Sequence, residues 1–157
     1  MSRSGADLAL LLLASFRTMA DHGTAELAAR GFDDVRPVHD FALHSVLAGA
    51  DSASELGRAM SITKQAAAKT IALLEERGYL TREADPGDKR RMRLHVTERG
   101  LAMLQNGEAI FDELRRKWEH QVGHATVAAL EETLRLLAGP NAIRIDSPGW
   151  DARDPDA

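Results

Sequence analysis

The chain has 157 residues, 44% hydrophobic and 28% charged, the proportions of an ordinary soluble protein with enough length for one domain and its own core. It has no cysteine, which excludes disulfides, thiolate nucleophiles, cysteine-held metals and any thiol-based oxidant sensor. A net charge of −4 argues at first against a nucleic-acid partner, but the distribution matters more: from Arg58 to Arg99 ten Lys/Arg face six Asp/Glu, so that stretch carries +4 and the remainder −8.

Ser4, with Asp7 three residues later, is a capping arrangement ahead of an apolar run. It predicts a helix from about Gly5 to Asp21 with Leu8, Leu11, Leu12, Phe16 and Met19 as its inner stripe. The run Leu8 to Ala14 is seven residues, against about 20 for a membrane span. With Asp7 interrupting the N-terminus there is no secretory pattern, and a cytoplasmic protein is expected, with no membrane partner. His22-Gly23 reads as a stop, and Thr24 to Arg30 as a separate short helical stretch ended by Gly31. Pro37 opens the next helix, His39 to Leu47, with Phe41, Leu43, Val46 and Leu47 inward.

Ser52-Ala-Ser-Glu55 is a capping box that opens a short helix to Met60. A turn at Ser61-Ile62 leads to Thr63, the N-cap of a second helix that runs to Arg77 and is closed by Gly78. Tyr79 to Glu83 reads as a strand, Asp85-Pro86-Gly87-Asp88 as a turn, and Met92 to Val96 as a strand with one buried face. Helix, turn, helix, strand, turn, strand is the winged helix-turn-helix order. Thr97 then caps a long helix with apolar positions Leu101, Leu104, Ile110, Phe111, Leu114 and Trp118, interrupted or ended at Gly107 and Gly123. A last helix, Thr126 to Ala138, repeats Val127, Leu130, Leu134 and Leu137 at helical spacing. Gly139-Pro140 breaks it, and the final 19 residues are expected to have little regular structure.

The expected fold class is mostly α with a small two- to three-stranded antiparallel wing. It places one domain over 1–138, with a winged helix-turn-helix at about 38–99 flanked by dimerisation helices at about 5–30 and 98–138, and a tail at 139–157.

On a helical wheel of Thr63 to Arg77, Ala67, Thr70, Ile71 and Leu74 share the inward face. Lys64, Gln65, Ala68, Lys69 and Ala72 share the other: two cations, an amide able to read adenine, and small side chains that let the helix approach base edges closely. Asp88-Lys89-Arg90-Arg91-Met92-Arg93 puts four cations beside a tight turn, a composition suited to the minor groove. The expected DNA contacts are Ser61, Thr63, Lys64, Gln65, Ala68, Lys69, Lys89, Arg90 and Arg91, with Asp88 bracing the turn by accepting from its backbone or from Arg90.

These residues carry a resemblance. Leu-Glu-Glu-Arg-Gly-Tyr-Leu at 74–80, Asp85-Pro86-Gly87-Asp88-Lys89-Arg90, and Val96-Thr97-Glu98-Arg99-Gly100 are similar in order and spacing to the MarR family of bacterial regulators. Asp88 and Arg90 match the family's wing aspartate and arginine, and Ile62-Thr63-Lys64-Gln65-Ala66 resembles a recognition-helix opening of one branch. Ala68-Lys69 stands where the family often has Thr-Arg or Ser-Arg, so base preference does not carry over. The resemblance implies a homodimer on a pseudo-palindromic operator, usually a repressor and often released by a small molecule. Physical reasoning also favours a dimer. One recognition helix covers too few base pairs to select a genomic site, and two helices about 34 Å apart read successive major-groove faces. Leu8, Leu12, Leu130, Leu134 and Leu137 are the expected interface residues, or else they close the monomer's own core.

Two weaker signals remain. His120 and His124 have the i, i+4 spacing of a metal pair, with His39 or His44 able to approach from another helix, but no metal is required by the pattern. An effector pocket is expected near Phe16, Arg17, Met19, His39, Phe41, Phe111, Arg115 and Trp118, where Arg17 or Arg115 would hold an aromatic carboxylate, although each aromatic has an ordinary core role open to it. No cofactor is required. No Ser-His-Asp order, phosphate loop or carboxylate pair suggests an enzyme. The competing class is a winged-helix protein–protein module without sequence-specific DNA binding, for which an apolar outer helix face would be expected.

Overall fold

The computed structural model describes residues 4–138, so the tail expected at 139–157 lies outside the described residues. In chain order the elements are α1 (Gly5–Ala29), α2 (Pro37–Leu47), α3 (Ala53–Met60), α4 (Lys64–Glu76), β1 (Leu80–Asp85), β2 (Asp88–Val96), α5 (Glu98–Val122) and α6 (His124–Ala138). The sheet is the antiparallel β1-β2 pair, with two strands.

Side-chain caps set most helix starts. Ser4 Oγ accepts from Asp7 N at 3.3 Å while the Asp7 carboxylate accepts from Ser4 N at 3.2 Å. Thr63 Oγ1 accepts from Ala66 N at 3.0 Å, and Thr97 Oγ1 from Gly100 N at 3.1 Å. At α3 the expected box is half formed. Ser52 Oγ accepts from Glu55 N at 3.2 Å, but the Glu55 carboxylate reaches past Ser52 to Asp51 N at 3.0 Å.

The expected break at Gly23 is absent, and α1 runs unbroken for 25 residues. A Cβ at Gly23 would stand 3.0 Å from Phe111 Cζ, so this glycine admits the ring of Phe111 where α1 crosses α5. Glycine inside a helix costs about 1 kcal/mol against alanine, a penalty that packing readily offsets. Gly107 likewise sits buried within α5 without interrupting it. Gly123, at φ +93°, does end α5, and α6 begins at His124, two residues before the expected start.

The core gathers where α2, α3, α4, the base of the sheet and α5 meet. Leu43, Leu56, Met60, Ile71, Leu74, Tyr79, Met103 and Ile110 are its largest fully buried side chains. Of the apolar positions expected on α5, Leu104, Ile110 and Leu114 are buried, whereas Leu101 and Phe111 are partly exposed, at 40% and 38%. A polar network ties the core to the α1–α2 loop. Tyr79 Oη donates to Asp34 Oδ1 at 2.6 Å and accepts from Arg99 Nη2 at 3.2 Å. Arg77 donates to the Asp34 carbonyl, and the Arg99 guanidinium lies 4.9 Å from the Tyr79 ring centre and 5.4 Å from that of Phe32. Burial, followed by the neighbouring Asp34 carboxylate, pushes the Tyr79 phenol up to about 12. Tyr79 therefore serves as a neutral donor throughout the physiological range. Among the described residues, no helix is long and apolar enough to cross a membrane.

Candidate nucleic-acid interface

The turn between α3 and α4 places Ser61 in the left-handed region at φ +55°, and α4 then presents two distinct faces. Ala67, Ile71 and Leu74 are buried, whereas Thr63, Lys64, Gln65, Ala68, Lys69 and Ala72 are exposed with Ser61. This separation follows from the 3.6-residue period. Arg82 Nε lies 2.6 Å from Glu75 Oε1, which neutralises an acid near the far end of the helix. Among the described residues, neither Lys64 nor Lys69 enters an ion pair, so both ammonium groups face solvent.

The wing is less regular than the sequence suggests. Pairing runs in register from Leu80↔Val96 to Ala84↔Met92, then jumps to Asp85↔Asp88. Lys89, Arg90 and Arg91 therefore fall in the irregular part of β2, without opposite residues on β1. Asp88 Oδ1 accepts from the backbone N of Arg90 at 3.0 Å, one of the two bracing roles open to it from sequence. Asp85 holds the turn from the other side, accepting from Gly87 N at 2.8 Å through Oδ1.

Two of the wing arginines point back into the chain. Arg91 Nη2 lies 2.9 Å from Asp51 Oδ1. Arg93 Nε is 2.8 Å from Asp85 Oδ2 and 3.3 Å from Asp51 Oδ2, paired by charge without hydrogen-bond alignment to either. Lys89 and Arg90 remain exposed and, among the described residues, outside any ion pair. Asp51 and Arg93, which tie the wing to the start of α3, and Asp85 as a buried anchor, were not singled out in the sequence reading. Asp85 carries a turn signature that explains it locally, and nothing in local spacing links position 51 to position 91.

Asp85 is 7% exposed, and the Gly87 amide, with Arg93 next to it, holds its carboxyl below the usual carboxylate range. Because the folded-state value lies below the unfolded one, this contribution to stability is complete above the unfolded value and is lost as pH falls through the folded one. Amide exchange at Gly87 should therefore be protected at neutral pH, with protection falling at acid pH, below about pH 4. Asp85→Asn should flatten that acid dependence. Equal acid sensitivity in the variant would assign the effect to another carboxylate.

A cavity of about 260 Å³ opens among α1, the start of α2 and α5. Of the expected pocket residues, Phe16, Met19, Phe41 and Phe111 line it; Arg17, His39, Arg115 and Trp118 do not. His39 is buried and its Nδ1 accepts from Arg36 N at 3.0 Å. Arg115 is held by Glu119 and by Glu131, at 2.6 Å from its Nε. The polar groups that the cavity does have in its wall include Arg36 and Asp40.

The helix break at Gly123 separates His120 from His124, whose Nδ1 lies 2.9 Å from Glu119 Oε1. His44 pairs with Asp40 at 3.5 Å. Among the described residues no three His, Asp or Glu side chains are grouped to hold a metal ion. Leu8, Leu12, Leu130, Leu134 and Leu137 all lie outside the core and are exposed, from 38% at Leu134 to 73% at Leu137.

Residues 41–91 match the family model of the MarR family. Solved structures extend the likeness to the fold of nearly the whole chain. A MarR-family transcriptional regulator from Rhodococcus sp. RHA1 superposes with a TM-score of 0.64 at 20% identity, covering 90% of this chain and 100% of that one. CouR from Rhodococcus jostii RHA1, solved bound to p-coumaroyl-CoA, gives 0.62 at 20% identity over 91% and 100%. A variant of MepR from S. aureus, solved bound to an oligodeoxyribonucleotide, gives 0.60 at 17% identity over 83% and 95%.

Proposed function

From the premise that this chain has the winged helix-turn-helix fold of MarR regulators, with a family match at its centre, we propose that it is a homodimeric, sequence-specific DNA-binding transcriptional regulator, acting as a repressor released by a small organic effector. The observation that carries the reading is the outer face of α4. Lys64, Gln65, Ala68 and Lys69 stand exposed there, and no intramolecular ion pair among the described residues occupies the two lysines. Ser61 and Thr63 flank that face for phosphate contacts, and Lys89 and Arg90 of the wing add exposed cations. Arg91 sits with them but is partly spent on Asp51. A protein-binding winged helix would want an apolar outer face, and this one is cationic.

The dimer reading rests on the five exposed leucines of α1 and α6, joined by Leu10, Leu11 and Leu136, which are also exposed. So much large apolar surface on two helices is more than scattered exposure, and a second copy is its natural cover. Dimerisation through the helices at about 5–30 and 98–138 would set two α4 helices for successive major grooves. The aromatic-lined cavity between those helices and the winged module is the place for an effector. That CouR was solved with p-coumaroyl-CoA and MepR with DNA supports both halves of this reading by analogy of fold.

The test is direct. Duplexes tiled across the DNA upstream of the protein's own gene should include one bound roughly a thousandfold more tightly than random sequence at physiological salt. Uniform affinity across all duplexes would remove sequence-specific regulation from consideration.

A further inference from the structure

The wall of the 260 Å³ cavity is almost wholly apolar, with a carboxylate set into it. An apolar cavity of about 150 Å³ suffices for a benzene molecule, so this one has room for a ring with a short substituent. Asp40, in the first turn of α2, reaches the cavity opposite Gly107 of α5. A Cβ at position 107 would stand 3.6 Å from Asp40 Oδ1, so the missing side chain leaves open space before that oxygen. The other oxygen, Oδ2, lies 3.5 Å from Nε2 of His44, a half-exposed side chain at a distance that makes it a weak ion partner. Burial raises the Asp40 carboxyl above its ordinary range, Glu108 pushes it the same way, and His44 opposes them. An anion held this way is under-compensated.

Arg36 is the cation in the cavity wall, and it is already engaged within the chain. The arginines that would suit a carboxylate ligand, Arg17 and Arg115, are absent from the wall. The faces of Phe16, Phe41 and Phe111 are themselves attractive to a cation.

We propose that this cavity takes a small aromatic amine in its ammonium form, with Asp40 as counter-ion and Phe16, Phe41 and Phe111 enclosing the ring. The proposal rests on reading the cavity as the effector site, and it names the chemistry of the occupant. The ligand's ammonium supplies Asp40 with a closer positive partner than His44, which stands 3.5 Å away on a half-exposed side chain. An aromatic carboxylate would instead meet Asp40 as a like charge, and its ring would gain nothing that the amine's ring lacks.

Isothermal titration of the full chain, without DNA, with 2-phenylethylamine, 2-phenylethanol and phenylacetate compares cation, neutral and anion on one ring. The expected result is that the amine binds at least tenfold more tightly than either of the others, and that Asp40→Asn removes its advantage over the alcohol. The proposal is overturned if phenylacetate binds as tightly as the amine, if the amine keeps its advantage in Asp40→Asn, or if none of the three binds at millimolar concentration. The order measured on the unmodified protein decides the matter even where the variant fails to fold. Release of bound operator by the same amine is a separate reading: binding without release leaves the ligand assignment standing and removes the effector role.

Discussion

Replacing Gly100 with alanine should destabilise the protein by on the order of 3 kcal/mol and lower its melting temperature by roughly 10 °C. Gly100 lies in the first turn of α5, where the helix leaves β2 and passes directly over the start of β1. A Cβ there would stand 2.6 Å from the carbonyl oxygen of Tyr79 and 2.6 Å from Val96 Cγ1. No real Cβ sits that close, so one of the neighbours must move. The Tyr79 carbonyl accepts from Thr97 N at 3.1 Å, and its side chain is buried and bonded to Asp34 and Arg99. A backbone atom so held cannot yield cheaply. Gly107→Ala is the internal control: its nearest neighbour is Asp40 Oδ1 at 3.6 Å, an ordinary contact, so gained helix propensity of up to about 1 kcal/mol should leave that variant neutral or slightly more stable. Denaturant midpoints with unchanged slopes would report both. A Gly100→Ala midpoint equal to that of the native protein would show that α5 is free to shift over β1.

The second large effect concerns DNA. Lys64→Ala combined with Lys69→Ala should weaken operator binding at least a hundredfold at physiological salt and flatten its dependence on salt. Each phosphate contact contributes about 0.9 to the slope of log affinity against log salt. Two lysines on each of two protomers thus remove up to about 3.6 of that slope if all four reach phosphate. Arg91→Ala offers the contrast. Because Arg91 Nη2 is held 2.9 Å from Asp51, its loss should change the slope less and loosen the wing more. Gln65→Ala should leave the slope nearly intact while relaxing base preference, since an amide adds no charge. A double-lysine variant with an unaltered salt slope would place the DNA on another face of the protein.

Features carried by neighbours along the chain were legible from sequence. Ser4, Thr63 and Thr97 cap the helices that their spacing announces, and the wheel over Thr63 to Arg77 separates the buried from the exposed face as the structure does. What failed depended on partners distant in sequence. Gly23 gives the same local signal whether it stops a helix or admits a ring, and only the position of Phe111 distinguishes the two. Glu55 has the spacing to close a box on Ser52, but the amide of Asp51 is the better placed donor. Arg115 suited a ligand carboxylate until α6 brought Glu131 to it. Asp40 was not among the expected pocket residues, yet the structure makes it a polar element of the cavity, because Gly107 leaves room in front of it. Ion pairs between helices have no period, and cavities are made by residues that are missing as much as by those present.

The hydrogen bond from Tyr79 to Asp34 has a consequence for how free energies combine. Asp34 immediately precedes Val35 and Arg36, both in the cavity wall, while Tyr79 follows the last turn of α4 by only a few residues. The end of α4 and one side of the cavity, far apart along the chain, are thus joined through a single side-chain hydrogen bond. Substitutions at Tyr79 and at Val35 will not behave as independent perturbations: their costs should depart from additivity by an amount measurable in a double-mutant cycle. A perturbation on one side of this bond should then be read on the other, and a coupling energy near zero would show that the bond transmits nothing between them.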